Sequence, residues 1–91
     1  MAKYKKKAIA IGETIREFSG EMAKKMVLNI EKEWSGETPW SLFDSLMAEC
    51  NELIDAIGAN KPEKEVTAEC ADVANFAMMI AKVYVQKEGG R

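Results

Sequence analysis

The chain contains no histidine. That excludes a Cys/His zinc site and any Ser-His or Cys-His nucleophilic pair. Its only cysteines, Cys50 and Cys70, are too few for a disulfide framework, and they read as reduced thiols. No apolar run approaches the ~20 residues that span a bilayer, and the first residues are too charged for a secretory signal, so the expected location is the cytoplasm with no membrane partner. A formal net charge of −2 gives no basic excess to recruit nucleic acid. The basic run Lys3–Lys7 is short and reads as a solvated end. Cations are also missing locally. Neither the stretch Trp34–Asn60 nor the stretch Glu65–Ala81 contains a lysine or arginine.

With 91 residues the chain has room for one small domain, expected over 1–91 with flexible ends at 1–12 and 88–91. Hydrophobic periodicity predicts an all-α fold. A first helix is expected from about Glu13 to Trp34, with Ile15, Phe18, Met22, Met26 and Ile30 at helical spacing. Thr38 as N-cap and Pro39 at the first helical position open a second, running to about Ile57 with Gly58 as its stop. Its apolar stripe is Phe43, Leu46, Met47, Cys50, Leu53, Ile54 and Ile57. A turn near Ala59–Asn60 leads through Pro62 into a third helix that reaches about Lys87. There Val66, Val73, Phe76, Ala77, Ile80 and Tyr84 make one apolar face, and Ala74, Met78, Ala81 and Val85 another. A helix apolar on most sides is covered on most sides. One antiparallel hairpin and one extra helix cannot do that, so four-helix-bundle-type packing in a homodimer or homotetramer is expected.

Against this background two acid-x-x-acid steps stand out, Glu49–Glu52 and Glu69–Asp72. Residues three apart share a helix face. Glu52 and Glu69 lie about 7 and about 9 residues from the expected turn, and Glu49 and Asp72 about 10 and about 12, so at ~1.5 Å rise each pair is level to within ~3 Å. Four carboxylates brought together without a cationic neighbour on their own hairpin call for a divalent cation. All-oxygen ligation favours hard ions, and magnesium, with manganese as a substitute, suits a phosphate-bearing ligand. Asp55, one step further on, reads as solvated, as does the ladder Glu13, Glu17 and Glu21.

The spacing Glu49-x-x-Glu52, sixteen residues, Glu69-x-x-Asp72 resembles the metal-binding signature of the all-α, MazG-like nucleoside triphosphate pyrophosphohydrolases. The run Glu69-Cys70-Ala71-Asp72-Val73-Ala74-Asn75-Phe76-Ala77-Met78-Met79-Ile80-Ala81 is similar to the third helix of their short phage- or plasmid-type members. Upstream, Met22, Lys25, Asn29, Lys32 and Trp34 are spaced as in their first helix, although those members often have one more residue between the lysine and the tryptophan. The likeness covers about Phe18 to Tyr84. It implies magnesium-dependent hydrolysis between the α- and β-phosphates of a (deoxy)nucleoside triphosphate, giving a nucleoside monophosphate and pyrophosphate, with a role in cleaning the nucleotide pool. Glu49, Glu52, Glu69 and Asp72 would be the metal-binding and catalytic residues. Lys25, Asn29 and Lys32, at i, i+4 and i+7, would face the nucleotide, the alternative being a solvent face. Trp34 or Trp40 would stack on a base, the alternative being packing. Asn75 would touch the phosphates or the metal shell, or else be a polar residue on the least apolar strip. Two other readings stay open: a phosphoribosyl-ATP pyrophosphatase, and a helical dimerisation module without activity.

Overall fold

A computed structural model describes residues 2–89, with side chains described as far as Gln86. The described residues form three helices and no strand: α1 (Ala2–Leu28), α2 (Pro39–Gly58) and α3 (Glu63–Gly89). The expected flexible end at 88–91 therefore overlaps the last turn of α3, while Gly90 and Arg91 lie outside the described residues. No helix among the described residues is long and apolar enough to cross a membrane.

The first helix differs most from expectation. It starts at Ala2 rather than Glu13, because the alanines and lysines of residues 2–10 are strong helix formers. It passes through Gly12 and Ser19-Gly20, each glycine lowering helix stability by about 1 kcal/mol relative to alanine. The Thr14 and Ser19 hydroxyls donate back to the carbonyls of Ala10 and Arg16, at 3.0 and 2.8 Å. It ends at Leu28 rather than Trp34. Asn29 Nδ2 donates to the Lys25 carbonyl at 3.0 Å. The backbone then tightens, with Asn29, Ile30 and Lys32 N–H groups donating to Met26, Val27 and Asn29 carbonyls. Asn29 and Lys32 therefore sit in the turn after α1, not on a continuous helical stripe with Lys25.

The start of α2 matches the sequence reading. Thr38 and Ser41 form a reciprocal cap, each backbone N–H donating to the other's hydroxyl at 3.0 Å, with Pro39 at the first position. Its end is set by Asn60 and not by Gly58. Asn60 has φ 52°, the left-handed conformation. Lys61 N–H donates to the Ala56 carbonyl and Asn60 N–H to that of Ile57, at 3.0 and 3.1 Å. This is the six-to-one and five-to-two pairing that closes a helix on a left-handed residue, and asparagine tolerates that conformation better than most side chains. Glu63 and Glu65 then lie in the first turn of α3, where its dipole favours negative charge.

The central element is α3, which packs against both α2 and α1, whereas α1 and α2 make no direct helix–helix contact. Its buried strip is Ala71, Asn75, Met79 and Val83, at a spacing of four. The apolar faces read from sequence are rotated from this strip. Val73, Phe76 and Ile80 are half-buried, but Ala77, Ala81, Tyr84 and Val85 are exposed. Asn75 has displaced the apolar residues because it makes a specific contact, described below. Leu42, Met79 and Val83 form the core cluster, against which Met26, Trp34, Phe76 and Ile80 pack. All three helices and the α1–α2 loop meet at that one place.

The core is small for the chain. No residue of α1 is buried, and Phe43, Met47, Ile54 and Ile57 of the expected α2 stripe are exposed. The radius of gyration is 15.7 Å, against ~12 Å for a compact domain of this length. Leu42, at 2 % exposure, should be the most sensitive apolar position. Leu42→Ala should destabilise the fold by about 2–5 kcal/mol in urea denaturation. A loss below about 1 kcal/mol would show that the cluster does not anchor the helices.

Candidate metal centre

The two acid steps are brought together by packing of α2 on α3 across the Asn60 turn. One carboxylate oxygen from each of Glu49, Glu69 and Asp72 lies within 4.8 Å of the others. Oxygens around a single magnesium ion at ~2.1 Å are ~3 to ~4.2 Å apart, so small side-chain movements would close this set on one ion. Glu52, the fourth acid expected here, is exposed and is not part of this convergent set. Its negative charge nonetheless acts on both Glu49 and Glu69. Glu52 and Glu69 also line an open groove with Asp55, whose side chain is exposed as expected.

Electrostatics mark the cluster as uncompensated. Glu49 Oε2 and Glu69 Oε2 are buried and have no hydrogen-bond partner. A buried acceptor of this kind is costly unless something supplies positive charge or a donor. Burial is the largest influence on Glu49, followed by a proton shared with Glu52 and the negative charges of Asp72, Glu52 and Glu69. Together they push its carboxyl up to about 7. Glu69 is raised as well, first by burial and then by the charges of Glu52 and Asp72, while Lys25 pulls the other way.

Among the described residues, Lys25 is the one cation ion-paired with these acids. Its Nζ lies 3.2 Å from Asp72 Oδ2, and the two side chains are only 29 % and 21 % exposed. The pair was not visible in the sequence pattern because Lys25 comes from α1, whereas the cations were counted on the stretches of α2 and α3 that carry the acids. The other ion pair among the described residues, Lys24 with Glu21, is a local α1 contact on the surface.

A cavity of about 270 Å³ opens beside the acids, with Glu49 and Asp72 in its wall. Lys25, Asn29, Lys32, Trp34 and Asn75 also line it. Five of the six residues expected to bind substrate thus share one cavity, even though α1 stops short of three of them. Trp34 is half-buried and packs on the core cluster, so its packing and cavity-lining roles coincide. Trp40 does not join them. It is 76 % exposed and sits edge-on to Phe43, with ring centroids 6.0 Å apart. Its place on the first turn of α2 turns it away from the core. Sequence reasoning missed Met26, Phe76 and Met79, which supply the apolar part of the wall. Met26 and Phe76 carried only a signal of apolar spacing.

Asn75 corrects another expectation. It lies on the most buried strip of α3, not on a polar one, and is 3 % exposed. Its Nδ2 donates to the Met22 carbonyl at 3.0 Å, tying α3 to α1, while Oδ1 is buried without a partner. The carbonyl partner dictates which end of the amide is nitrogen. What remains is an acceptor, which suits a hydrogen-bond donor and not a phosphate oxygen. Cys50 and Cys70 are half-buried free thiols, each next to an acid of the cluster. Comparison with protein-family models, curated proteins and solved structures gives no match to this chain.

The raised acids make stability depend on pH. A carboxyl whose folded pKa lies above its unfolded value near 4.5 binds more protons in the folded state. Stability therefore falls as pH rises through that window towards about 7, and levels off above it. In EDTA, the melting temperature should drop by several °C between pH 5.5 and pH 8, at about 4–8 °C per kcal/mol for a domain of this size. Glu49→Gln should flatten the drop. An equally steep drop in that variant would remove Glu49 as its source.

Proposed function

We propose that this protein is a MazG-like nucleoside triphosphate pyrophosphohydrolase, acting on (deoxy)nucleotides of the pool. The observation that carries the reading is the juxtaposition of three converging carboxylates, two of them with buried oxygens that lack a partner, with a cavity lined by two lysines and a tryptophan. Carboxylates alone repel a triphosphate. Lysines alone would hold one without cleaving it. Together with a divalent ion they form a template for phosphate hydrolysis.

Glu49, Glu52, Glu69 and Asp72 would hold one or two magnesium or manganese ions, which neutralise phosphate charge and make bound water more acidic. The remaining roles fall to the chain itself. Lys32, unpaired in the cavity wall among the described ion pairs, meets the charge of the phosphates. Trp34 offers an aromatic face to the base. A carboxylate oxygen of the cluster accepts a proton from the attacking water. The water oxygen bonds to the α-phosphorus, the bond from that phosphorus to the bridging oxygen breaks, and pyrophosphate leaves.

In this reading α2 and α3 form an antiparallel hairpin that keeps the four acids level. Two or four copies assemble into four-helix-type bundles in the cytoplasm. The exposed Ile54 and Ile57 on α2 and Tyr84 and Val85 on α3 support such an assembly, since a monomer leaves them in water. The same surfaces would serve an association module without activity. Against that alternative stand the buried carboxylate oxygens, which a purely associative protein has no reason to leave unpaired.

A panel of ribo- and deoxynucleoside triphosphates with magnesium, together with phosphoribosyl-ATP, should show pyrophosphate release from one or a few nucleoside triphosphates. Asp72→Asn and Glu52→Gln should each lower turnover at least ~100-fold while circular dichroism stays helical, the loss expected when charge stabilisation is removed from a reacting site. Full activity in both variants would refute the site. In sedimentation the protein should run as a dimer or larger species that Ile54→Lys weakens. A monomer at micromolar concentration would refute the assembly.

A further inference from the structure

Lys25 presents an unusual combination. Among the described residues it is the only cation ion-paired with an acid of the cluster, and it lines the cavity in which phosphates would sit. It cannot serve both fully at once, because its ammonium is engaged with Asp72 at 3.2 Å. Asp72 is also one of the three acids whose oxygens converge. An ion drawing on that carboxylate competes for the same negative charge, and two cations crowded into one partly buried cluster repel each other.

The anchoring of α1 makes the competition local. Asn75 holds the Met22 carbonyl, one turn before Lys25 on the same side of α1. The backbone carrying Lys25 is therefore fixed against α3. What can move is the lysine side chain, which has four rotatable carbons and a compact charge. The nearby cavity provides somewhere for it to go, with Lys32 and Asn29 already in the wall.

We infer that Lys25 is the built-in counter-cation of the acid cluster, paired with Asp72 when no divalent ion is bound, and displaced into the cavity when one binds. Its release would place a positive charge on the phosphate side of the cavity only after the cluster is loaded, so that cation and triphosphate bind cooperatively. The first half concerns the acids alone. The second half rests on the nucleotide reading above. Lys25 acts here as a positioning residue: it holds the acids together in the unloaded state and gives way in the loaded one.

The test is calorimetric titration of Mn²⁺ alone, at pH 7.5, into the full chain and three variants. Lys25→Met should bind Mn²⁺ about fivefold tighter than the parent, ~1 kcal/mol at 1.4 kcal/mol per tenfold, the upper end for a partly exposed ion pair. Lys25→Arg, which keeps the pair, should stay within about twofold of the parent by the same scale. Lys32→Met removes equal charge from the same cavity but breaks no pair with Asp72, and should also stay within about twofold. In the nucleotide assay, Lys25→Met should raise KM for the triphosphate despite its tighter metal binding. Equal or weaker Mn²⁺ binding by Lys25→Met, or equal tightening in Lys32→Met, would overturn the displacement. Displacement intact with no pyrophosphate released by the parent would overturn the nucleotide reading alone. A parent that binds no Mn²⁺ would overturn both.

Discussion

Repulsion among carboxylates organises this molecule. Glu49, Glu69 and Asp72 converge from two helices into a partly buried space, with one lysine among the described residues, Lys25, paired to Asp72 to offset them. Burial removes the water that would otherwise screen such a group, so the acids hold on to protons instead: Glu49 is displaced to about 7 and Glu69 in the same direction. A fold selected for stability alone would replace one of these acids with an amide or an apolar residue. Their presence beside a lysine-lined cavity is the physical basis for reading them as ligands of a hard cation.

The rest of the fold holds this arrangement in place. Closure of α2 on the left-handed Asn60 sets where α3 begins, and hence which turn of α3 stands opposite Glu49. Asn75 ties α1 to the same stretch of α3 and brings Lys25 to Asp72. The Leu42, Met79 and Val83 cluster joins the same elements just beyond the cavity, with Trp34 serving as both packing and wall. So small a core leaves exposed apolar side chains on all three helices, among them Ile15, Ile54 and Val85.

Much of this was legible in the sequence, and the illegible parts share a cause. Thr38-Pro39 announces α2 because capping is a local matter of one hydroxyl and one fixed φ. The turn at Ala59–Asn60 is announced locally by Gly58 and Pro62, and counting helix rise from it brings Glu49, Glu69 and Asp72 near one height. The limits of α1 differ from the expected Glu13–Trp34 because apolar spacing gives little weight to residues 2–10, where alanine and lysine propensity carries the helix; at the other end Asn29 stops it by bonding to the Lys25 carbonyl. The buried strip of α3 was misread because apolarity points to Val73 and Ala77, whereas Ala71 and Asn75 are chosen by tertiary contacts that no single-helix pattern encodes. Lys25 with Asp72 belongs to the same class. The two residues are far apart in sequence and meet only because α1 docks on α3.

The most direct measurement is anomalous diffraction from crystals soaked in Mn²⁺. The account predicts a peak at ~2.0–2.3 Å from carboxylate oxygens of Glu49, Glu69 and Asp72, the range for oxygen ligands of small hard cations. A well-ordered map with those carboxylates turned apart and no anomalous peak among them would contradict it.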